Sequence, residues 1–106
     1  TGVKFFFNLH RYANTYSIGD TVKKGTYTFS FFTDIHSREK NAGEEAVKYK
    51  TIRIVTNGGK IVLETRFDER HVRLNLERGH WYRAELWGSV DTESQLLAIT
   101  SPIYCE

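Results

Sequence analysis

Along most of this chain apolar and polar side chains alternate with a period of two. Such alternation marks strands that bury one face and solvate the other. Val3, Phe5, Phe7 and Leu9 fall on one side of a first strand and Lys4, Phe6 and Asn8 on the other. The apolar Phe6 on the second side predicts a strand covered on both faces. Thr26–Phe32 repeats the pattern more cleanly, with Tyr27, Phe29 and Phe31 opposed to Thr26, Thr28 and Ser30. A helical period would scatter these aromatics around a cylinder, so it does not fit. Between the two strands Asn14, Gly19, Asp20 and Gly25 mark turns, and 11–25 reads as loop with at most one short strand.

A third strand spans Val47–Val55, but its phase slips. Val47 and Tyr49 agree with each other, Ile52 and Ile54 with each other, and a β-bulge near Lys50–Thr51 reconciles the two sets. Asn57-Gly58-Gly59 then signals a hairpin, because glycine and asparagine accept positive φ. Its return strand, Lys60–Arg66, places Ile61 and Leu63 on one face, and Phe67-Asp68-Glu69 turns the chain again. Val72, Leu74 and Leu76 alternate with Arg73, Asn75 and Glu77. After Gly79 the stretch Trp81–Gly88, a polar loop Ser89–Gln95 and the stretch Leu96–Tyr104 predict two adjacent antiparallel strands.

About seven strands with short turns and no helical pattern predict one all-β domain over 1–106, an antiparallel β-sandwich of immunoglobulin-like topology. A barrel of similar strand lengths is the alternative, since alternation alone does not separate the two. The 106 residues suffice for one core, and two Trp, six Tyr and seven Phe supply its bulk.

Composition narrows the functional classes. With 15 basic and 13 acidic side chains the formal charge is +2, and no basic run exceeds Lys23-Lys24, so nucleic acid is not a predicted partner. No apolar stretch is long enough for a membrane span. One cysteine, Cys105, rules out an internal disulfide. The chain begins at Thr1 and has no Met, which suggests a fragment of a longer protein.

Candidate chemistry is sparse. His10, His36, His71 and His80 stand in no His-x-His or His-x-x-x-His spacing, so surface or strand-end histidines are expected rather than ligands. Asp34, His36, Glu39, Glu44 and Glu45 crowd one long polar loop, without the EF-hand spacing of a calcium site. No nucleophile elbow or phosphate-binding glycine loop occurs, and the penultimate Cys105 has no supporting base in sequence. No catalytic, cofactor-binding or metal residue is therefore assigned, and the chain alone is expected not to be an enzyme. The informative feature lies on the eighty-to-ninety strand. Tyr82, Ala84 and Leu86 form its core side, which leaves Trp81, Arg83, Glu85 and Trp87 together on the other. That second face serves either as a cross-strand ladder with paired charges or as a docking surface, since Trp and Arg are favoured interface anchors. Stacking against a sugar ring is a third use of an exposed indole. Tyr82 also stands where a sandwich-corner tyrosine is found, though without the flanking cysteines of antibody domains.

Trp81-Tyr82-Arg83-Ala84-Glu85-Leu86-Trp87-Gly88 and Leu97-Ala98-Ile99-Thr100-Ser101-Pro102-Ile103-Tyr104 resemble the C-terminal end of bacterial PHP-family metal-dependent phosphoesterases, in the branch similar to carbaryl hydrolase. There a β-sandwich follows the catalytic domain, with a W-x-R-x-E strand and a closing A-x-T-(N/S)-P-I-(Y/W) strand. Ile54-Val55-Thr56-Asn57-Gly58-Gly59 is compatible with that domain's central hairpin, and Ser101 stands where asparagine is common. The match is sharp over 81–104 and diffuse over 1–49. The resemblance implies a non-catalytic accessory domain whose partner is the catalytic domain of the same polypeptide. Divalent metals are expected only in that other domain, because none of its His-x-His ligand motifs is present here. An independent immunoglobulin-like module that binds carbohydrate or a cell-surface protein is the second expectation.

Overall fold

The computed structural model describes residues 4–34, 47–90 and 93–106. Among these residues ten strands form two sheets. The first sheet has the order β2-β1-β4-β7, built from β1 (Lys4–Arg11), β2 (Asn14–Ser17), β4 (Gly25–Asp34) and β7 (His71–Leu76). The second has the order β3-β10-β8-β5-β6, from β3 (Thr21–Val22), β5 (Val47–Thr56), β6 (Lys60–Arg66), β8 (His80–Val90) and β10 (Ile103–Cys105). β9 (Glu93–Ile99) joins it along β8. All pairings are antiparallel except the short β10–β3 bridge. The molecule is an all-β sandwich of two separate sheets rather than a barrel.

The two sheets bring different side chains to the shared core. Phe5, Phe7, Leu9, Tyr27, Phe29 and Phe31 come from β1 and β4, and Phe7 and Phe29 meet with centroids 5.2 Å apart. The second sheet answers with smaller groups, among them Ile52, Ile54, Ala84, Leu86 and Ile103, each fully enclosed. Large rings opposite aliphatic side chains let the layers interdigitate, and each enclosed ring contributes several kcal/mol, about 3–5 if cut to alanine.

Several expectations are corrected. The 11–25 stretch holds two short strands, β2 and β3. Ser89–Gln95 is mostly strand, since Ser89 pairs with Ser94 and Val90 with Glu93. Phe6 is not covered: it is 41% exposed and stacks on Phe32 across the strand pair, at 5.1 Å. Two aromatic rings thus shield each other in place of a third layer. The slip in β5 is a register shift between Tyr49 and Thr51 opposite β8, as its alternation requires. A second shift, between Ile54 and Val55, leaves Val62 of β6 out of the pairing with β5. Ile61 consequently faces solvent while Val62 and Leu63 both lean on the core, which breaks the shared face expected for Ile61 and Leu63. The polar loop with His36, Glu39, Glu44 and Glu45 lies outside the described residues.

Tyr82 ties the two sheets together. Its hydroxyl accepts a hydrogen bond from the Glu77 amide at 2.9 Å, where the chain crosses from β7 to β8. Burial pushes this phenol above its ordinary pKa, because the phenolate would lose its solvation.

Candidate functional site

Strand β8 runs between β5 on one side and β9 and β10 on the other. Its alternation sends Tyr82, Ala84 and Leu86 into the core and holds Trp81, Arg83, Glu85 and Trp87 on the outer face. Asn57 at the tip of the β5–β6 hairpin fixes where this row starts. Its side-chain carbonyl accepts the Trp81 amide at 2.9 Å, and its amide group donates to Gly79 O at 3.1 Å. The hairpin residues Gly58 and Gly59 take φ of 74° and 79°, where a side chain would be strained.

The four side chains form one connected ladder. Glu85 is its hub: the carboxylate lies 3.3 Å from Arg83 Nη2 and accepts the Trp87 indole N–H at 2.9 Å. The Arg83 guanidinium lies over the Trp81 ring at 5.2 Å. At the other end Arg53 covers Trp87 at 4.7 Å and donates to Glu64 at 2.6 Å. Charge, dipole and ring quadrupole alternate along the row, so each group has an opposite neighbour. The Glu85 side chain is only 13% exposed and that of Arg83 33%, so the pair is held in a partly desolvated setting. Arg83 Nε is buried and has no hydrogen-bond partner among the described residues.

Beside the ladder the closing strand interrupts itself. Between its pairings Glu85–Ile99 and Tyr82–Ile103 it takes four steps against three on β8, because Pro102 has no amide to give a ladder. Thr100 fills the interruption. Its amide donates to Ala84 O, its hydroxyl accepts the Ala84 amide, both at 3.0 Å, and the hydroxyl passes its own proton to Ser101 O at 2.8 Å. The kink opens a groove of about 250 Å³ lined by Trp81, Arg83, Ile99, Thr100, Pro102 and Tyr104. Ile99 and Tyr104 are about half exposed at its rim.

Sequence reasoning grouped Trp81, Arg83, Glu85 and Trp87 on one face, and they do lie there together. It missed Arg53 and Glu64, which extend the row across β5 and β6, and Ile99, Pro102 and Tyr104, which wall the groove. Only the pairing register, which sets Arg53 opposite both Glu64 and Glu85, brings the first two to the row, and the Thr100–Pro102 interruption hid the others. The three described histidines stay apart: His10 Nδ1 meets Thr15, His71 Nδ1 meets Ser30 and His80 Nδ1 meets Arg78 O. Cys105 is buried, which raises its thiol pKa. Among the described residues no three His, Cys, Asp or Glu side chains gather to hold a metal ion, and no helix is long and apolar enough to cross a membrane. No known family profile, curated protein or solved structure matches the chain.

Proposed function

We propose that this domain is the accessory β-sandwich of a PHP-type metal-dependent hydrolase and that it docks on the catalytic domain through the outer face of its second sheet. The observation that carries the reading is the meeting of two motif halves. Trp81 and Arg83 of the W-x-R-x-E strand and Ile99, Thr100, Pro102 and Tyr104 of the closing strand line one groove. Residues far apart in sequence that converge on a half-apolar groove beside a partly desolvated arginine have the makeup of an interface centre. The strand order supports an immunoglobulin-like reading of the sandwich. β1, β4 and β7 are consecutive neighbours in one sheet, β6, β5 and β8 in the other, and Tyr82 closes the corner between them.

A carbohydrate-binding module is less well supported. One face of each indole is already occupied by a guanidinium, Arg83 over Trp81 and Arg53 over Trp87, which limits the surface left for a sugar ring.

The test is to read the frame that encodes this chain and to express whatever precedes Thr1 with and without it. The expected partner carries a His-x-His metal site and binds the free 106-residue domain. An Ile99→Asp change, at an exposed position that leaves the fold intact, weakens that binding about tenfold. A frame without such a segment overturns the proposal, and so does metal-dependent phosphoester turnover by this domain alone.

A further inference from the structure

The outer face of the first sheet has a different chemistry. Register places Thr15, His10, Thr28 and Arg73 side by side across β2, β1, β4 and β7, and a neighbouring row reads Ser17, Asn8, Ser30, His71. Thr26 and Asn75 continue the face on the other side. These positions hold hydroxyls, amides, imidazoles and one guanidinium, and no carboxylate. An open groove of about 650 Å³ runs over His10, Thr28, Arg73 and Asn75, with Arg11 and Tyr12 at its rim. Arg73 is exposed and has neither an ion pair nor a side-chain hydrogen bond among the described residues.

The rim is built rather than incidental. Arg11 donates to Lys24 O at 3.1 Å and lies between the rings of Tyr12 and Tyr27, at 5.3 Å from each. It rests on Gly25, whose φ of 144° disfavours a side chain and where a β-carbon would displace the guanidinium. Tyr12 is 91% exposed and adopts φ of 57°, a left-handed conformation that is costly for a residue with a side chain. A fully exposed aromatic held in a strained turn beside a cationic groove is the kind of feature that accompanies ligand contact.

We propose that this groove binds an oxyanion ester, a phosphate or sulfate monoester. Arg73 supplies the cationic contact, His10 an imidazole nitrogen and Thr28 a hydroxyl between them, and the organic group lies toward Tyr12. His10 Nδ1 is engaged by Thr15 at 3.2 Å, which leaves Nε2 for the ligand. Arg73 offers a planar fork suited to two oxygens of one anion, and among the described residues no carboxylate pairs with that fork. The assignment is independent of the docking role proposed for the second sheet.

The probes are inorganic phosphate, phenyl phosphate and phenyl sulfate, titrated into the whole chain at constant ionic strength while amide resonances are followed by NMR. Saturable shifts are expected at His10, Thr28 and Arg73, with an ester tighter than inorganic phosphate. Phosphate against sulfate distinguishes which ester is preferred. Arg73→Ala weakens binding about tenfold and Thr28→Val about fivefold, while Arg66→Ala, on the other sheet and paired with Asp68, changes nothing. Tyr12→Ala removes the preference for the ester over inorganic phosphate. Arg73 is a surface residue, so its variant folds, and unchanged binding in it overturns the site. Linear shifts, or equal shifts with chloride, overturn it as well, and equal affinity for ester and free phosphate overturns the assignment of an ester.

Discussion

The two outer faces of this sandwich treat charge in opposite ways. On the second sheet every charged group of the row Arg83, Glu85, Arg53, Glu64 has an opposite charge or a ring beside it. On the first sheet Arg73 stands among hydroxyls and amides with no carboxylate to neutralise it among the described residues. A face that satisfies its own charges can be partly desolvated at little cost, which suits contact with another protein surface. A face with surplus cations keeps its field for an anion in solution. The same fold thus carries one surface closed on itself and one left open.

This contrast breaks first at Glu85. Glu85→Ala removes the acceptor shared by Arg83 and the Trp87 indole, stranding a guanidinium and an N–H in a partly buried setting. Stability should fall by about 2 kcal/mol, or roughly 8–16 °C in midpoint for a domain of this size. Arg73→Ala on the open face should stay within about 0.5 kcal/mol of the parent, because no native partner is lost. Calorimetry of the two variants checks both, and equal losses would remove the distinction between the faces.

The joint between the sheets gives a smaller effect with a pH signature. Tyr82→Phe leaves the Glu77 amide without its acceptor and should cost about 1 kcal/mol at neutral pH. Burial raises the Tyr82 phenol in the folded state, so folding favours the neutral form. Its contribution is complete below the unfolded tyrosine pKa of about 10 and is lost as pH rises through the higher folded value. Denaturant midpoints should therefore fall less steeply above about pH 10 in the variant than in the parent. The Cys105 thiol, also raised by burial, produces a loss of the same sign in both proteins. Parallel curves would place Tyr82 outside the alkaline transition.

Much of β8 was legible because it alternates strictly from Trp81 to Trp87. Tyr82, Ala84 and Leu86 against Trp81, Arg83, Glu85 and Trp87 could be divided by period alone. The Tyr49–Thr51 shift was readable too, since two apolar phases in one strand demand an extra residue. The bulge at Val62 was not, because Ile61, Val62 and Leu63 are all apolar and any phase fits them. Arg53 and Glu64 join the ladder through cross-strand register, which sets Arg53 opposite both Glu64 and Glu85. The groove of the first sheet was invisible for another reason. His10, Thr28 and Arg73 come from three strands, and only their register sets them in a row.

The smallest effect concerns the rim of the open face and reverses an ordinary rule. Elsewhere alanine is more stable than glycine, by about 0.5–1 kcal/mol, because glycine loses more backbone freedom on folding. At Tyr12 the φ of 57° makes the β-carbon itself the source of cost, about 1 kcal/mol or more. Both Tyr12→Ala and Tyr12→Gly lose the stacking on Arg11, which is worth about 0.5–1 kcal/mol at an exposed site. That loss cancels between them, so their difference reads the backbone alone. Tyr12→Gly should come out more stable than Tyr12→Ala by about 0.5–1 kcal/mol, and close to the parent, in urea unfolding. An alanine variant equal to the glycine one would mean that the turn is unstrained. The open face would then keep its cations and lose the argument that its aromatic rim is held in place at a cost.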